Sequence, residues 1–474
     1  MAPDTLGRFL PAWQHVATGT KGSGLRGLDG VLQVVDQLSG VSLPASAWES
    51  LVLPARVLDY SPAMLDELTA TGDVIWSGTG TLPGSDGWVS LHLADGAQVT
   101  LPTPVGTETD ELQREVLAAL AGGGAYFFRQ LSDAVGSTDD AGLVTAIWDL
   151  VWAGQITNDT FAPLRTQVGG GRTVKPRTPT RSRSSYRSRG RAALPRQSGP
   201  PTVGGRWSLL PLAEPDATVR AAATSELLLE RHGIVTRGAV VTEGVPGGFS
   251  TVYKVLSGFE ETGRARRGYF IEGLGAAQFA TGPTVDRLRS FARDEGDRRE
   301  EQALVAAGRS HDVPVVTLAA TDPANPYGAA LPWPDQAGPE AGAGAPAPQA
   351  PPAGGQAPPA GGPTDPGADG TAADAPAKGR GHRPGRKAGA LVVLVDGRLV
   401  VYVERGGKTV LTFGGPDERA LSLAAGSLAA VVRRSLGKLA VERVDGEFVL
   451  GTPLGDALRD AGFAPTPSGV RLRA

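Results

Sequence analysis

Residues 216–280 read DATVRAAATSELLLERHGIVTRGAVVTEGVPGGFSTVYKVLSGFEETGRARRGYFIEGLGAAQFA. Apolar residues recur at helical spacing over 219–232, and Gly233 marks a turn. A short helix is predicted over 236–243. The run Gly244-Val245-Pro246-Gly247-Gly248 breaks it, and a third helix over 249–261 ends at Gly263. A basic turn, Arg264-Ala265-Arg266-Arg267-Gly268, then leads into residues 269–274. Three helices followed by a basic hairpin is the order of a winged helix. Its third helix, with Lys254, would enter a groove while Arg264, Arg266 and Arg267 lie on phosphate. The plainer alternative is a helical core with an exposed hairpin that touches no nucleic acid.

The chain around this stretch has 474 residues, enough for about three domains. Its formal charge is −3, so affinity for a polyanion must come from local patches. Cysteine is absent, which removes disulfides, thiolate nucleophiles and cysteine-ligated zinc and fits a reducing, cytoplasmic compartment, nucleoid-associated if DNA is the partner. His15, His92, His232, His311 and His382 show no ligand spacing, so no metal site is expected. There is no basic lead into an apolar run at the start, so no signal peptide is expected. The best apolar run, 391–403, is interrupted by Asp396 and Arg398 and is too short to span a bilayer; no membrane partner is expected. The 66 glycines and 38 prolines concentrate in linkers.

Taken in order, residues 1–25 read as an N-terminal helical remnant, with the helix over 5–16. Residues 26–105 form a first winged-helix-like unit. It has helices over 28–38, 43–53 and 60–70, the last opened by Ser61-Pro62, and a hairpin of 74–76 with 88–93. Residues 106–168 form a second unit, with helices over 109–120, 127–135 and 139–152 and a short strand near 154–158. Residues 169–206 carry Arg181, Arg183, Arg187, Arg189 and further cations among Ser, Thr, Pro and Gly with no acid between them. This composition cannot bury a core and reads as a disordered arm adding salt-sensitive phosphate contacts, or as a plain linker. Residues 207–310 hold the winged helix quoted above and a charged helix over 285–307. Residues 311–334 and 387–474 form a small β-barrel-like module, split by a Pro/Ala/Gly insertion at 335–386. Asp396-Gly397 and Asp445-Gly446 are its hairpin turns. The fold class is α+β, with tandem winged helices, a barrel-like module and two disordered linkers.

Two motifs bear on chemistry. Gly406-Gly407-Lys408-Thr409 has the tail of a phosphate-binding loop, but Tyr402 stands where a glycine is required and strands flank it. It reads as a hairpin turn, and no complete loop of this kind occurs elsewhere, so the chain should not hydrolyse ATP by itself. Gln33-Val34-Val35-Asp36 places an amide and a carboxylate three residues apart on one helix face. Such a pair could orient water and stabilise a developing sugar cation; an ordinary polar stripe is the simpler reading.

Three segments, 53–95, 231–280 and 320–334 (ATDPANPYGAALPWP), resemble the C-terminal region of the Lhr (large helicase-related) family of bacterial DNA helicases. The resemblance implies tandem winged helices, a β-barrel, work in DNA repair, homotetramer formation and a helicase core in the same or a neighbouring polypeptide. ATP and magnesium would be needed only by that core; no cofactor is expected in this chain. That region is itself similar to the AlkZ/YcaQ DNA glycosylases, which carry a Gln-apolar-Gln or Gln-apolar-Asp motif. Gln33 to Asp36 has one residue too many for it.

Three functions follow as expectations. The first is a DNA-binding, oligomer-forming piece of a helicase, on duplex or single strand. The second is a monofunctional glycosylase for uracil or an alkylated base, with Asp36 or Gln33 near the sugar. The third is a purely structural assembly module.

Overall fold

The computed structural model describes residues 1–16, 24–102, 109–169, 199–293, 313–335 and 383–474. Helix α1 (Pro3–Trp13) opens the chain. α2 (Gly27–Gln37) and α3 (Pro62–Thr71) then pack beneath a hairpin, β2 (Val74–Thr81) with β3 (Gly87–Leu93). The stretch 43–53 is not one helix. Leu43–Pro44 (β1) pairs with Val89 and Trp88 of β3, and short helical turns follow to Arg56. Pro44 contributes to this: its ring disfavours a helical conformation at Leu43 before it, and the pair is extended, with Pro44 at ψ 131°.

A second unit contains α4 (Glu111–Ala121), α5 (Phe128–Ala134) and α6 (Asp140–Trp152). Asp110 closes a capping box with Gln113, and Asp139 caps α6 by accepting from the amides of Ala141 and Gly142 at 3.0 Å. Its sheet has the order β4 (Tyr126–Phe127), β6 (Arg206–Leu209), β5 (Ile156–Asn158). The central strand therefore comes from beyond residues 170–198, and the boundary expected near 207 falls inside this sheet. Trp207, fully buried against Trp148, is what draws β6 there.

The third unit has helices α7 (Ala217–His232), α8 (Arg237–Thr242) and α9 (Gly248–Glu261). Its hairpin is β7 (Arg266–Gly268) with β8 (Gln278–Ala280). Leu228, Val235, Val240, Val252, Leu256 and Phe279 form a separate core. Residues 269–274, expected in the hairpin, are its connecting loop. The Gln278 side chain holds that loop closed: it accepts from the amides of Phe270 and Ile271 and donates to the carbonyls of Ile271 and Gly275. α10 (Gly282–Arg289) follows; the rest of the expected helix over 285–307 lies largely outside the described residues.

The strands of the C-terminal module's main sheet are β9 (Val315–Ala319), β10 (Leu391–Val395), β11 (Arg398–Val403), β12 (Thr409–Thr412), β14 (Arg443–Val444) and β15 (Glu447–Phe448). They form six strands in the order β15-β14-β12-β11-β10-β9. A separate three-stranded sheet joins β13 (Lys438–Val441), β17 (Gly469–Arg473) and β16 (Ala464–Thr466). Closure into a barrel is not seen among the described residues. Asp396 and Gly397 turn β10 into β11 with φ of 48° and 77°, as an Asp-Gly hairpin requires. Gly406 and Gly407 likewise turn β11 into β12, so Lys408 lies in a hairpin and not at a helix start.

β10 is buried on both faces. Leu391, Val393 and Val395 face one core, with Leu421, Ala425 and Leu428 of α11 (Glu418–Val431); Val392 and Leu394 face another, with Leu6, Phe9 and Leu10 of α1. An apolar sheet needs cover on both sides, so α1 is an integral layer and not a remnant. Gly7 lets it approach: a Cβ there would lie 1.9 Å from the carbonyl oxygen of Gly397.

One buried ion pair ties these parts together. The Arg56 guanidinium donates to both carboxylate oxygens of Asp322, at 2.7 and 3.0 Å, and to Gln14 Oε1 at 2.9 Å. Arg386 lies half-buried beside them. It donates to the carbonyls of Thr321, Asp322, Asn325 and Tyr327, and burial lowers its pKa to about 10.

Candidate nucleic-acid interface

The third unit presents its surface through local capping. Asp216 Oδ1 accepts from the amides of Thr218 and Val219, and Thr236 Oγ1 accepts from that of Ala239, so α7 and α8 start cleanly. Gly247, at φ 76°, turns the chain into α9. Val252 and Leu256 of α9 face the core, leaving Ser250 and Lys254 exposed. Lys254 makes no ion pair among the described residues.

All three expected wing arginines are exposed beside the three-helix core. Arg264 sits in the turn before β7. Its guanidinium lies 4.1 Å from the centre of the Phe259 ring and 2.5 Å from Glu226 on α7. On β7, Arg267 pairs with Glu260 at 3.4 Å and donates to the Tyr253 hydroxyl. Arg266, also on β7, has no ion pair among the described residues. Exposed pairs of this kind contribute about 0–1 kcal/mol, so phosphate can displace the acids at little cost. Tyr269, 76% exposed in the wing loop, adds an aromatic face that the charge pattern does not mark. Arg181, Arg183, Arg187 and Arg189 lie outside the described residues.

Gln33 and Asp36 do share the outer face of α2 and are both exposed. Around them the ends of α1 and α7 converge. Gln33 Nε2 is 3.4 Å from His15 Nε2. The Gln37 amide donates to the carbonyls of Trp13 and Glu230, while its Oε1 is buried without a partner. Burial, then the charge of Asp36, pushes the Glu230 carboxyl up; burial, then Arg56, pulls the His15 imidazole down. His15, Gln37 and Glu230 could not be found by motif, because they come from three separated segments. Among the described residues no group of side chains is arranged to hold a metal ion.

Behind the third unit, Glu243 meets Arg231 and His232, with His232 Nε2 at 2.6 Å. Arg231 also donates to the carbonyls of Gln37 and Ser39, tying α7 to the end of α2. Burial alone would raise the Glu243 pKa, but Arg231 and then His232 outweigh it and hold it at about 2. A depressed carboxylate pKa stabilises the fold above the ordinary value and loses that effect as pH falls through the folded one. Acid unfolding is therefore expected to deepen from about pH 4.5 towards 2, by on the order of 3 kcal/mol. In Glu243→Gln, chemical denaturation should show this part of the pH dependence gone.

Helices, a third helix that exposes Lys254 and a cationic two-stranded wing define a tandem winged-helix protein. Models of the large helicase-related protein's winged-helix domains match residues 1–94 and 214–300. Two stretches of the chain thus match Lhr winged-helix domains, and the chain as a whole is similar to Lhr proteins. It is 47% identical over 484 aligned residues to a Mycolicibacterium smegmatis protein described as Lhr helicase/probable uracil glycosylase, covering 100% of this chain and 28% of that one. It is 37% identical to the Escherichia coli Lhr helicase/uracil glycosylase, covering 99% of this chain and 28% of that one. The chain thus spans under a third of the length of these relatives. Among solved structures, Streptomyces sahachiroi DNA glycosylase AlkZ aligns over 94% of this chain and all of its own, with a TM-score of 0.45 and 12% identity; that likeness carries no functional argument. Among the described residues no helix is long and apolar enough to cross a membrane.

Proposed function

We propose that this chain is the DNA-binding region of an Lhr-type helicase, laying α9 and the β7–β8 wing on the phosphate backbone. The observation that carries it is the exposed row Lys254, Arg264, Arg266 and Arg267 beside the three-helix core. Phosphate contacts of this kind fix position and give salt-dependent affinity. ATP-driven movement would belong to a helicase core elsewhere, and assembly as a homotetramer is part of the same proposal. Titrating labelled duplex and single strand at several salt concentrations tests the first part, and light scattering the second. Salt-independent binding would contradict the reading.

A second reading, removal of uracil or an alkylated base, is favoured by the junction of α1, α2 and α7. There Asp36 lies exposed beside Gln33, His15 and the raised carboxyl of Glu230. A carboxylate there can stabilise an oxocarbenium-like sugar. Alkali cleavage after incubation with uracil-containing oligonucleotide is expected for the native chain, and Asp36→Asn should lower the rate on the order of 100-fold or more. An unchanged rate in Asp36→Asn would remove Asp36 from the mechanism.

A further inference from the structure

A cavity of about 330 Å³ opens between the first and third units, at the lower end of the size range of small-molecule sites. Its lining includes Ser42, Thr79, Trp88, Thr242, Glu243 and Thr321. Trp88 is only partly buried. Five other tryptophans donate their indole N–H to a carbonyl, and Trp152 and Trp333 pack on another ring. Trp88 has neither kind of contact among the described residues. A tryptophan face with no aromatic partner, on the wall of a cavity, is a stacking platform for a flat ring.

The polar walls fit the edge of such a ring. Ser42 and Thr79 hydroxyls lie 2.8 Å apart and keep lone pairs to spare. The Thr242 hydroxyl donates to Gly238 and can accept from a ligand. The Thr321 hydroxyl has no partner among the described residues. Glu243 adds an acceptor for ring N–H groups. No lysine or arginine lines the cavity, so a free nucleotide would find no cationic partner there for its phosphates. A base still attached to a strand avoids this, because its phosphates stay on the wing. Only residues 244–247 separate Glu243 from the first turn of α9.

We propose that this cavity receives an unpaired base of the DNA held by α9 and the wing, stacked on Trp88 and read by the hydroxyls and by Glu243. The proposal rests on the DNA-binding reading above. The probe is a duplex with 2-aminopurine opposite an abasic-site analogue, compared with the fully paired duplex and with free 2-aminopurine riboside. The native chain should prefer the unpaired probe on the order of 10-fold and change its emission on binding. Trp88→Ala should abolish both effects while leaving paired-duplex affinity within about two-fold. If Trp88→Ala loses its cooperative melting, Thr321→Val and Ser42→Ala carry the test and should reduce the preference several-fold. Binding to both duplexes with equal affinity and no emission change overturns this proposal alone; absence of any DNA binding overturns the DNA-binding reading with it. Equal affinity for the free riboside would make it a nucleoside site instead, which also contradicts the proposal.

Discussion

Replacing Arg264, Arg266 and Arg267 together by glutamine is expected to weaken duplex binding on the order of 100-fold near physiological salt. Each phosphate that no longer meets an arginine takes about 0.9 off the slope of log affinity against log salt, so the slope should fall in magnitude by roughly 2 to 3. The pairs that Arg264 and Arg267 make do not argue against this. Glu226 and Glu260 are surface partners, and in the variant they become uncompensated negative charges facing the strand. Stability should change little, since exposed pairs contribute about 0–1 kcal/mol. Anisotropy titrations across a salt series measure affinity and slope together. Unchanged values for both would mean that DNA does not dock on the wing.

The largest loss of stability is expected from Asp322→Ala. This substitution leaves the Arg56 guanidinium buried with only Gln14 Oε1 and the Val52 carbonyl as acceptors. Removing one partner of a buried pair costs about 3–5 kcal/mol, because the remaining charge is uncompensated. The double variant Arg56→Met with Asp322→Ala should recover most of that loss, since it removes both charges and keeps much of the volume. Denaturant unfolding of the native chain, both single variants and the double closes the cycle. A single-variant loss below about 1 kcal/mol would show that the pair does not hold α1, the first unit and the 322–328 turn together.

What the sequence made legible was local. The three helices and wing of residues 216–280 follow from apolar spacing punctuated by Gly233, Pro246 and Gly263, all short-range signals. The Asp396-Gly397 and Asp445-Gly446 turns were readable for the same reason. Long-range partners were not. The pairing of β6 with β4 and β5 crosses residues 170–198, and no periodicity within β6 indicates which strand it will meet. α1 reads as a remnant in sequence because its partner face on β10 lies almost 400 residues away. The wing arginines could be named in advance because charge clusters are visible in a string of letters. The cavity could not: Trp88 and Glu243 come together only when the first hairpin and the end of α8 pack side by side.

Hydrogen exchange of the whole chain with and without duplex DNA tests the docking surface most directly. The account predicts added protection over α9 and over residues 266–280, with the hairpin at 74–93 protected only near Trp88. Protection confined to the six-stranded sheet, or none at DNA concentrations that saturate binding, would contradict it.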